Sequence, residues 1–161
     1  GTGCGGGIVY EKKVLSGLQS IGGEWGHTVL DPSGSPCYCG AQGCVETFIS
    51  GRGAENRFEK EFGIRRTFEK IVEDYRFGNP KSVKFMEGYF SSFGRAIGNL
   101  INVLDPDMIV LGGGVSHFSE LYTQGIEAVR RCVFNDCLET PIVQNQLGDS
   151  AGVIGAAWIG V

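Results

Sequence analysis

An α/β fold interrupted by a cysteine-bearing insertion is what this sequence predicts, on three observations. The last third alternates in type. The apolar run Met108-Ile109-Val110-Leu111 is followed by a helical pattern over about 117–131, then by Pro141-Ile142-Val143 and a small-residue-rich segment over 151–158. Strand, helix, strand, helix is the order that builds a parallel layer covered by helices. Ahead of it runs one long amphipathic pattern, from Pro80 to Leu104. Ahead of both, Cys37, Cys39 and Cys44 crowd into eight residues with glycines between them.

The elements follow in order. Gly1-Thr2-Gly3-Cys4-Gly5-Gly6-Gly7 formally matches G-x-G-x-x-G, but a dinucleotide fingerprint needs a helix after its glycines. Here the β-branched and aromatic Ile8-Val9-Tyr10 follows, so the loop is expected to be a strand–turn–strand corner. Ile8-Val9-Tyr10 and Lys12-Lys13-Val14-Leu15 predict a hairpin with a polar turn. Residues 16–36 are rich in Gly, Ser and Pro and predict loop. Ala54, Phe58 and Phe62 recur at helical spacing, and Phe68, Ile71, Val72 and Tyr75 repeat the pattern. Asn79 is placed to cap the long helix and Pro80 suits its first turn. Phe93, Ile97, Leu100, Ile101 and Leu104 mark its expected buried face, and Asp105-Pro106 ends it. Residues 108–111 then read as a strand buried on both faces, and Gly112-Gly113-Gly114 as the turn into the next helix.

Composition narrows the function. A net charge of −4, with 42% hydrophobic and 20% charged residues, describes a globular protein with no basic field to draw nucleic acid or an anionic membrane. No apolar run approaches the ~20 residues of a membrane span, and no secretory signal pattern opens the chain. A cytoplasmic protein is expected. Glycine is the outlier, 27 of 161 residues, clustered in loops that have to bend sharply or approach a ligand closely. Because the chain opens directly on such a loop, further residues are expected before Gly1.

Three thiols in Cys37-Tyr38-Cys39-Gly40-Ala41-Gln42-Gly43-Cys44 suit one zinc ion, which takes four ligands in a tetrahedron. His27 is the fourth candidate, since His117 lies far along the chain. A site closed by one imidazole and three thiolates has no open position, so its role would be structural. The plain alternative is disulfides or inert thiols; Cys37 and Cys39 are too close for a comfortable bridge, and cytosolic cysteines stay reduced. Cys4, Cys132 and Cys137 lack ligand spacing and read as ordinary thiols.

Glu24 precedes His27 by three residues and Glu46 follows Cys44 by two. One shared metal would bring both carboxylates together, where they would accept charge-assisted hydrogen bonds from hydroxyl groups. His27 would bind the ion through one ring nitrogen and offer the other to a hydroxyl. Spacing alone leaves the two glutamates equally open to being solvated charges or partners of the zinc ligands. The glycine loops add an anion site: consecutive N–H groups over residues 1–7, with the Thr2 hydroxyl, form a nest for phosphates. Gly112, Gly113 and Gly114, after a strand and before a helix, offer bare backbone to a flat adenine or ribose. Each loop reads alternatively as a turn without a ligand.

Taken in order, Gly-Thr-Gly-x-Gly-Gly-Gly, Glu-x-Gly-His, Cys-x-Cys-Gly-x-x-Gly-Cys-x-Glu and Leu-Gly-Gly-Gly resemble the ROK family of bacterial sugar kinases and related repressors, over essentially the whole chain. The segments 23–27, 37–40, 46–51 and 148–153 look most like its fructokinase/mannokinase branch, with N-acetylglucosamine kinases next. The resemblance implies the C-terminal lobe of an actin-like ATPase (ribonuclease H-like) fold with a zinc-binding insertion. It divides residues 1–161 into a zinc and sugar segment of about 22–50, a helical segment of about 53–104 and an adenosine-binding segment of about 105–161. It implies zinc on His27, Cys37, Cys39 and Cys44; sugar contacts from Glu24, His27 and Glu46; ATP phosphates with Mg2+ facing Thr2 and Gly3; and adenosine facing Gly112, Gly113 and Gly114. The family's catalytic aspartate belongs to an N-terminal lobe, so this chain alone is expected to be inactive; Asp105 and Asp107 look structural. The partners implied are a hexose, ATP and, by analogy, a second copy. Nucleic acid enters only if a helix-turn-helix lies upstream, as in the family's repressors.

Overall fold

The computed structural model describes residues 3–148, so the expectations for Thr2 and for a closing helix over 151–158 lie outside the described residues. Its spine is helix α4, Pro80–Leu104. Asn79 caps it: the side-chain oxygen accepts the N–H groups of Lys81 and Ser82 at 3.1 and 3.3 Å. At the other end Asp105 takes the left-handed conformation, φ 42°, and its N–H closes on the Ile101 carbonyl at 2.8 Å. Aspartate is one of the few residues with a side chain that tolerates this region.

Phe85, Met86, Tyr89, Phe90, Phe93, Ala96, Ile97 and Ile101 are buried along α4 at the period of an amphipathic helix. The expected buried face was drawn one turn too long. Leu100, packed against the core, is half-buried and Leu104 is 42% exposed, because both also line an open cleft.

Four shorter helices pack against this spine. They are α1, Val45–Ile49; α2, Gly51–Phe62; α3, Phe68–Arg76; and α5, Gln124–Arg130. Ser50 caps α2 by accepting the Gly53 N–H at 3.0 Å, and Thr67 caps α3 by accepting that of Lys70 at 3.3 Å. Edge-on rings join the layers, Phe58 against Phe85 with centroids 5.2 Å apart and Phe68 against Phe118 at 5.0 Å. Burying such a ring contributes about 2–3 kcal/mol. Gly94 lets α5 close onto α4: a Cβ there would lie 2.5 Å from the Ala128 carbonyl oxygen.

Where one helix was predicted over 117–131, the chain makes two 3-10 turns, Gly114–His117 and Ser119–Tyr122, before α5 begins. Tertiary contacts override the periodicity. Phe118 is drawn onto Phe68, and Glu120 is held by the guanidinium of Arg76 on α3, whose Nη2 donates at 2.9 Å.

The strands form two small sheets. β1, Val9–Tyr10, and β2, Lys13–Val14, are the predicted hairpin, antiparallel with Val9 opposite Val14. β3, Ile109–Leu111, pairs in parallel with β4, Ile142–Gln144, as the strand–helix–strand order predicted. The expectation that β3 is buried on both faces fails: Val110 is 56% exposed. Among the described residues β3 has one partner strand, and the helices cover one of its faces. No helix among the described residues is long and apolar enough to cross a membrane.

Candidate functional site

The cysteine segment folds around its own backbone. Cys37 N–H donates to the Ala41 carbonyl and Gly40 N–H to that of Cys37, a tight turn that points Cys37 and Cys39 the same way. Cys44 is fixed from two sides: it bridges to Val29, and it sits at the N-cap of α1. His27 closes the 3-10 turn Trp25–His27. These segments bring the ligand atoms of His27, Cys37, Cys39 and Cys44 within 4.8 Å of one another.

The spacing tests the donor set. Zn–S bonds of about 2.3 Å and Zn–N bonds of about 2.0–2.1 Å in a tetrahedron place sulfurs about 3.8 Å apart and sulfur about 3.6 Å from nitrogen. The structure has Cys39 Sγ 3.6 Å from Cys44 Sγ, and Cys37 Sγ 3.5 Å from His27 Nδ1. A disulfide requires about 2.05 Å, and all six cysteines are free. The thiols differ in acidity. The Ala41 N–H brings Cys39 down to about 7, while burial pushes Cys44 up to about 12. A divalent cation is what would hold all three as thiolates at neutral pH.

His27 Nδ1 is the nitrogen turned toward the sulfurs. Nε2, expected to meet a substrate hydroxyl, is 2.9 Å from the hydroxyl of Tyr38, whose ring stands edge-on to the imidazole. Tyr38 was not singled out from the sequence beyond its place in the motif.

Each of the two glutamates comes against the glycine loop. Glu46, in the first turn of α1, accepts the Cys4 N–H on Oε2 at 2.8 Å. The same oxygen lies 2.8 Å from where a Cβ on Gly3 would sit, and Glu24 Oε2 lies 3.9 Å from a Cβ on Gly5. Glu24 is exposed and Glu46 half-buried, so both keep carboxylate oxygen accessible. α1, which sequence periodicity missed because five residues cannot show a period, is anchored by the buried Tyr89, whose hydroxyl donates to the Ile49 carbonyl at 2.8 Å. The Cys4 thiol is pushed up to about 12 by burial and by Glu46.

The loop is a poorer nest than its composition predicts. Cys4 N–H is committed to Glu46 and Gly6 N–H to the Gly23 carbonyl at 2.9 Å, so alternate donors point into the protein. Gly26 makes that packing possible. A Cβ there would lie 1.8 Å from the Cys4 carbonyl oxygen.

Gly3–Gly7 and Gly112–Gly114 line one cleft of about 620 Å³, although a hundred residues separate them in sequence. That volume suits a ligand of nucleotide size. Among the described residues that line it there is no carboxylate, lysine or arginine. The segment after Gly113 is a four-residue 3-10 turn, so the helix N-terminus expected there as an anion site is absent. The turn is instead braced by side chains: Ser116 Oγ donates to the Gly113 carbonyl at 2.7 Å, and Asn145 Nδ2 lies 3.3 Å from the Leu111 carbonyl and 3.4 Å from Ser116 Oγ. Neither residue carried a signal in the sequence.

A sequence model described as "ROK family" matches residues 1–160. An N-acetyl-D-glucosamine kinase of Pasteurella multocida is 38% identical over 98% of this chain and 55% of its own length. In structure, the chain is similar to a ROK hexokinase of Thermus thermophilus (TM-score 0.87, 33% identity, 97% of this chain and 53% of that one). It is similar to a ROK family glucokinase of Streptomyces griseus in complex with glucose and AMPPNP (0.85, 28%, 99% and 57%). A ROK family transcriptional regulator, described as a homologue of an E. coli protein, also aligns (0.72, 26%, 87% and 38%). The chain thus spans about half the length of the proteins it matches.

Proposed function

The chain belongs to the ROK family and has the mixed α/β fold of the actin-like ATPases, and from these premises we propose that it supplies the sugar-holding and nucleotide-holding parts of an ATP-dependent hexose kinase. The observation that supports this most is the Cys4–Glu46 hydrogen bond, which joins the acidic corner to the wall of the cleft. A hexose hydroxyl accepted by Glu24 and Glu46 would lie beside the loop that faces the phosphates. Phosphoryl transfer asks mainly for such positioning and for neutralisation of charge.

In this proposal the sugar is held by Glu24, Glu46 and His27, with the segment of about 22–50 as the sugar site and that of about 53–104 as its helical support. Thr2 and Gly3 face the magnesium-bound phosphates, and Gly112, Gly113 and Gly114 the adenosine. Zinc on His27, Cys37, Cys39 and Cys44 supplies rigidity and no chemistry. The base that takes the proton from the sugar hydroxyl comes, in this proposal, from outside this chain. The chain alone is then inactive. Fructose and mannose, suggested by resemblance of the motifs, give way to N-acetylglucosamine or glucose as first candidates, the sugars named for the relatives above.

The test is phosphorylation of N-acetylglucosamine, glucose, mannose and fructose by the full-length protein with Mg-ATP, and by this chain alone. Turnover of at least one sugar by the former and none by the latter is expected. Failure of the full-length protein on every hexose, with retained sugar binding, would favour the second reading, a sugar-responsive repressor, for which the aligned regulator speaks.

A further inference from the structure

The hydroxyl of Tyr38 stands at the ring nitrogen that the proposed sugar site would offer to a ligand. His27 turns Nδ1 toward Cys37 Sγ at 3.5 Å, leaving Nε2 as the nitrogen available to a ligand. That nitrogen lies 2.9 Å from the Tyr38 hydroxyl. Both Glu24 and Glu46 act electrostatically on the same phenol. So one hydroxyl of the protein already occupies the His27 position assigned to a sugar, within the field of the two glutamates.

The surroundings make this contact breakable. Tyr38 is 83% exposed, and its ring touches the imidazole edge-on, with centroids 5.0 Å apart. It sits between two cysteine positions in a short turn, where Gly40 has φ +91°. The backbone is held at Cys37 by its two hydrogen bonds, and the exposed side chain has room to turn about χ1. Little packing is lost when the ring leaves.

We propose that Tyr38 is an internal competitor for the sugar site: its hydroxyl occupies the His27 Nε2 position in the sugar-free protein and is displaced by a hydroxyl of the incoming hexose. With Nδ1 turned to a metal, the proton of the neutral imidazole is on Nε2, so His27 donates and the phenol oxygen accepts. A sugar oxygen replaces it one for one, and no bond is left unmade in either state. Tyr38 then sets sugar affinity and selects for a hexose that carries an acceptor oxygen at that point. This inference rests on the proposed sugar role of His27 and the two glutamates.

The test uses the full-length, zinc-loaded protein and its Tyr38→Phe variant, with N-acetylglucosamine and glucose as probes in calorimetric titration. Phe keeps the ring and removes the hydroxyl. Sugar binding is expected to tighten about 2- to 10-fold, the worth of one ordinary hydrogen bond no longer broken, with zinc content and kcat unchanged and KM lowered. Nitrogen NMR of His27 gives a second readout. Its Nε2 shift should differ between wild type and variant without sugar, and coincide at saturating sugar. Unchanged or weaker sugar binding by the variant, or shifts that stay apart at saturation, would overturn the inference. If the wild-type protein binds no sugar at all, the assignment of the site itself falls, and this inference with it.

Discussion

Cys4 and Glu46, 42 residues apart in sequence, are joined by a 2.8 Å hydrogen bond from backbone N–H to carboxylate. Through it the glycine loop and helix α1 form one corner, and any shift of α1 moves the loop.

Glu46 can be tested on both counts. Glu46→Gln keeps an acceptor for Cys4 but removes the charge. The expectation is a loss of about 10- to 100-fold in hexose affinity, the range for a hydrogen bond to an ionised group. The melting temperature should change little. Glu46→Ala should lower both. Titration calorimetry and thermal denaturation separate the two effects; a Gln variant that binds sugar normally would remove Glu46 from the site.

Zinc removal should act locally. One ion per chain is expected by elemental analysis. Verified chelation should raise amide exchange across 22–46, where the backbone is mostly loop held by turn and bridge hydrogen bonds. The buried face of α4 should stay protected. Uniform loss of protection along the chain would show that the segment is not a separable unit.

Gly26→Ala places a Cβ 1.8 Å from the Cys4 carbonyl oxygen, so backbone has to move on one side or the other. The cost is expected near about 3 kcal/mol, at the upper end for forced overpacking. A crystal structure should show the glycine loop parted from the 24–27 turn. A variant as stable as wild type would mean that these segments are not held together.

Acid sensitivity should be traceable to Glu120. The Arg76 guanidinium, hydrogen-bonded to it, holds its carboxyl below the usual range. With the folded value lower than the unfolded one, the pair stabilises the fold above a pH of about 4.3. That contribution disappears as pH falls through the folded value. Half of Arg76 is exposed, so about 1 kcal/mol is the size to expect. Chemical denaturation from pH 7 to pH 3 should show a shallower decline for Glu120→Gln than for wild type; equal slopes would count against the pair.

Asn145→Ala removes the brace between β4 and the turn after Gly113. Nucleotide affinity should fall a few-fold with sugar affinity untouched. A loss of both would point to general loosening instead.

Local chemistry wrote much of this fold into the sequence. Asn79 and Pro80 announced the start of α4 because a cap and a missing N–H act within one turn. Cys37, Cys39, Cys44 and His27 announced a cluster with the donor set for a metal ion because such a set is chemically narrow. Periodicity failed where a neighbour pulled harder. Residues 114–122 form 3-10 turns because Phe118 and Glu120 answer to Phe68 and Arg76, while Leu104, at the last turn of α4, lines a cleft. α1 was illegible because its five residues are fewer than two helical turns.

The sequence by itself determined which residues are candidates for chemistry: three thiols and an imidazole, two glutamates and two runs of glycine. Only the tertiary structure decided how they meet. It spent Cys4 N–H on Glu46 and Gly6 N–H on Gly23, turned His27 Nδ1 to the sulfurs, and set Tyr38 on Nε2. The reason is physical. A motif records which groups can bond, but each donor or acceptor has many possible partners along the chain. Which one it takes depends on backbone approach distances, such as the one Gly26 allows, that exist only once the elements have packed.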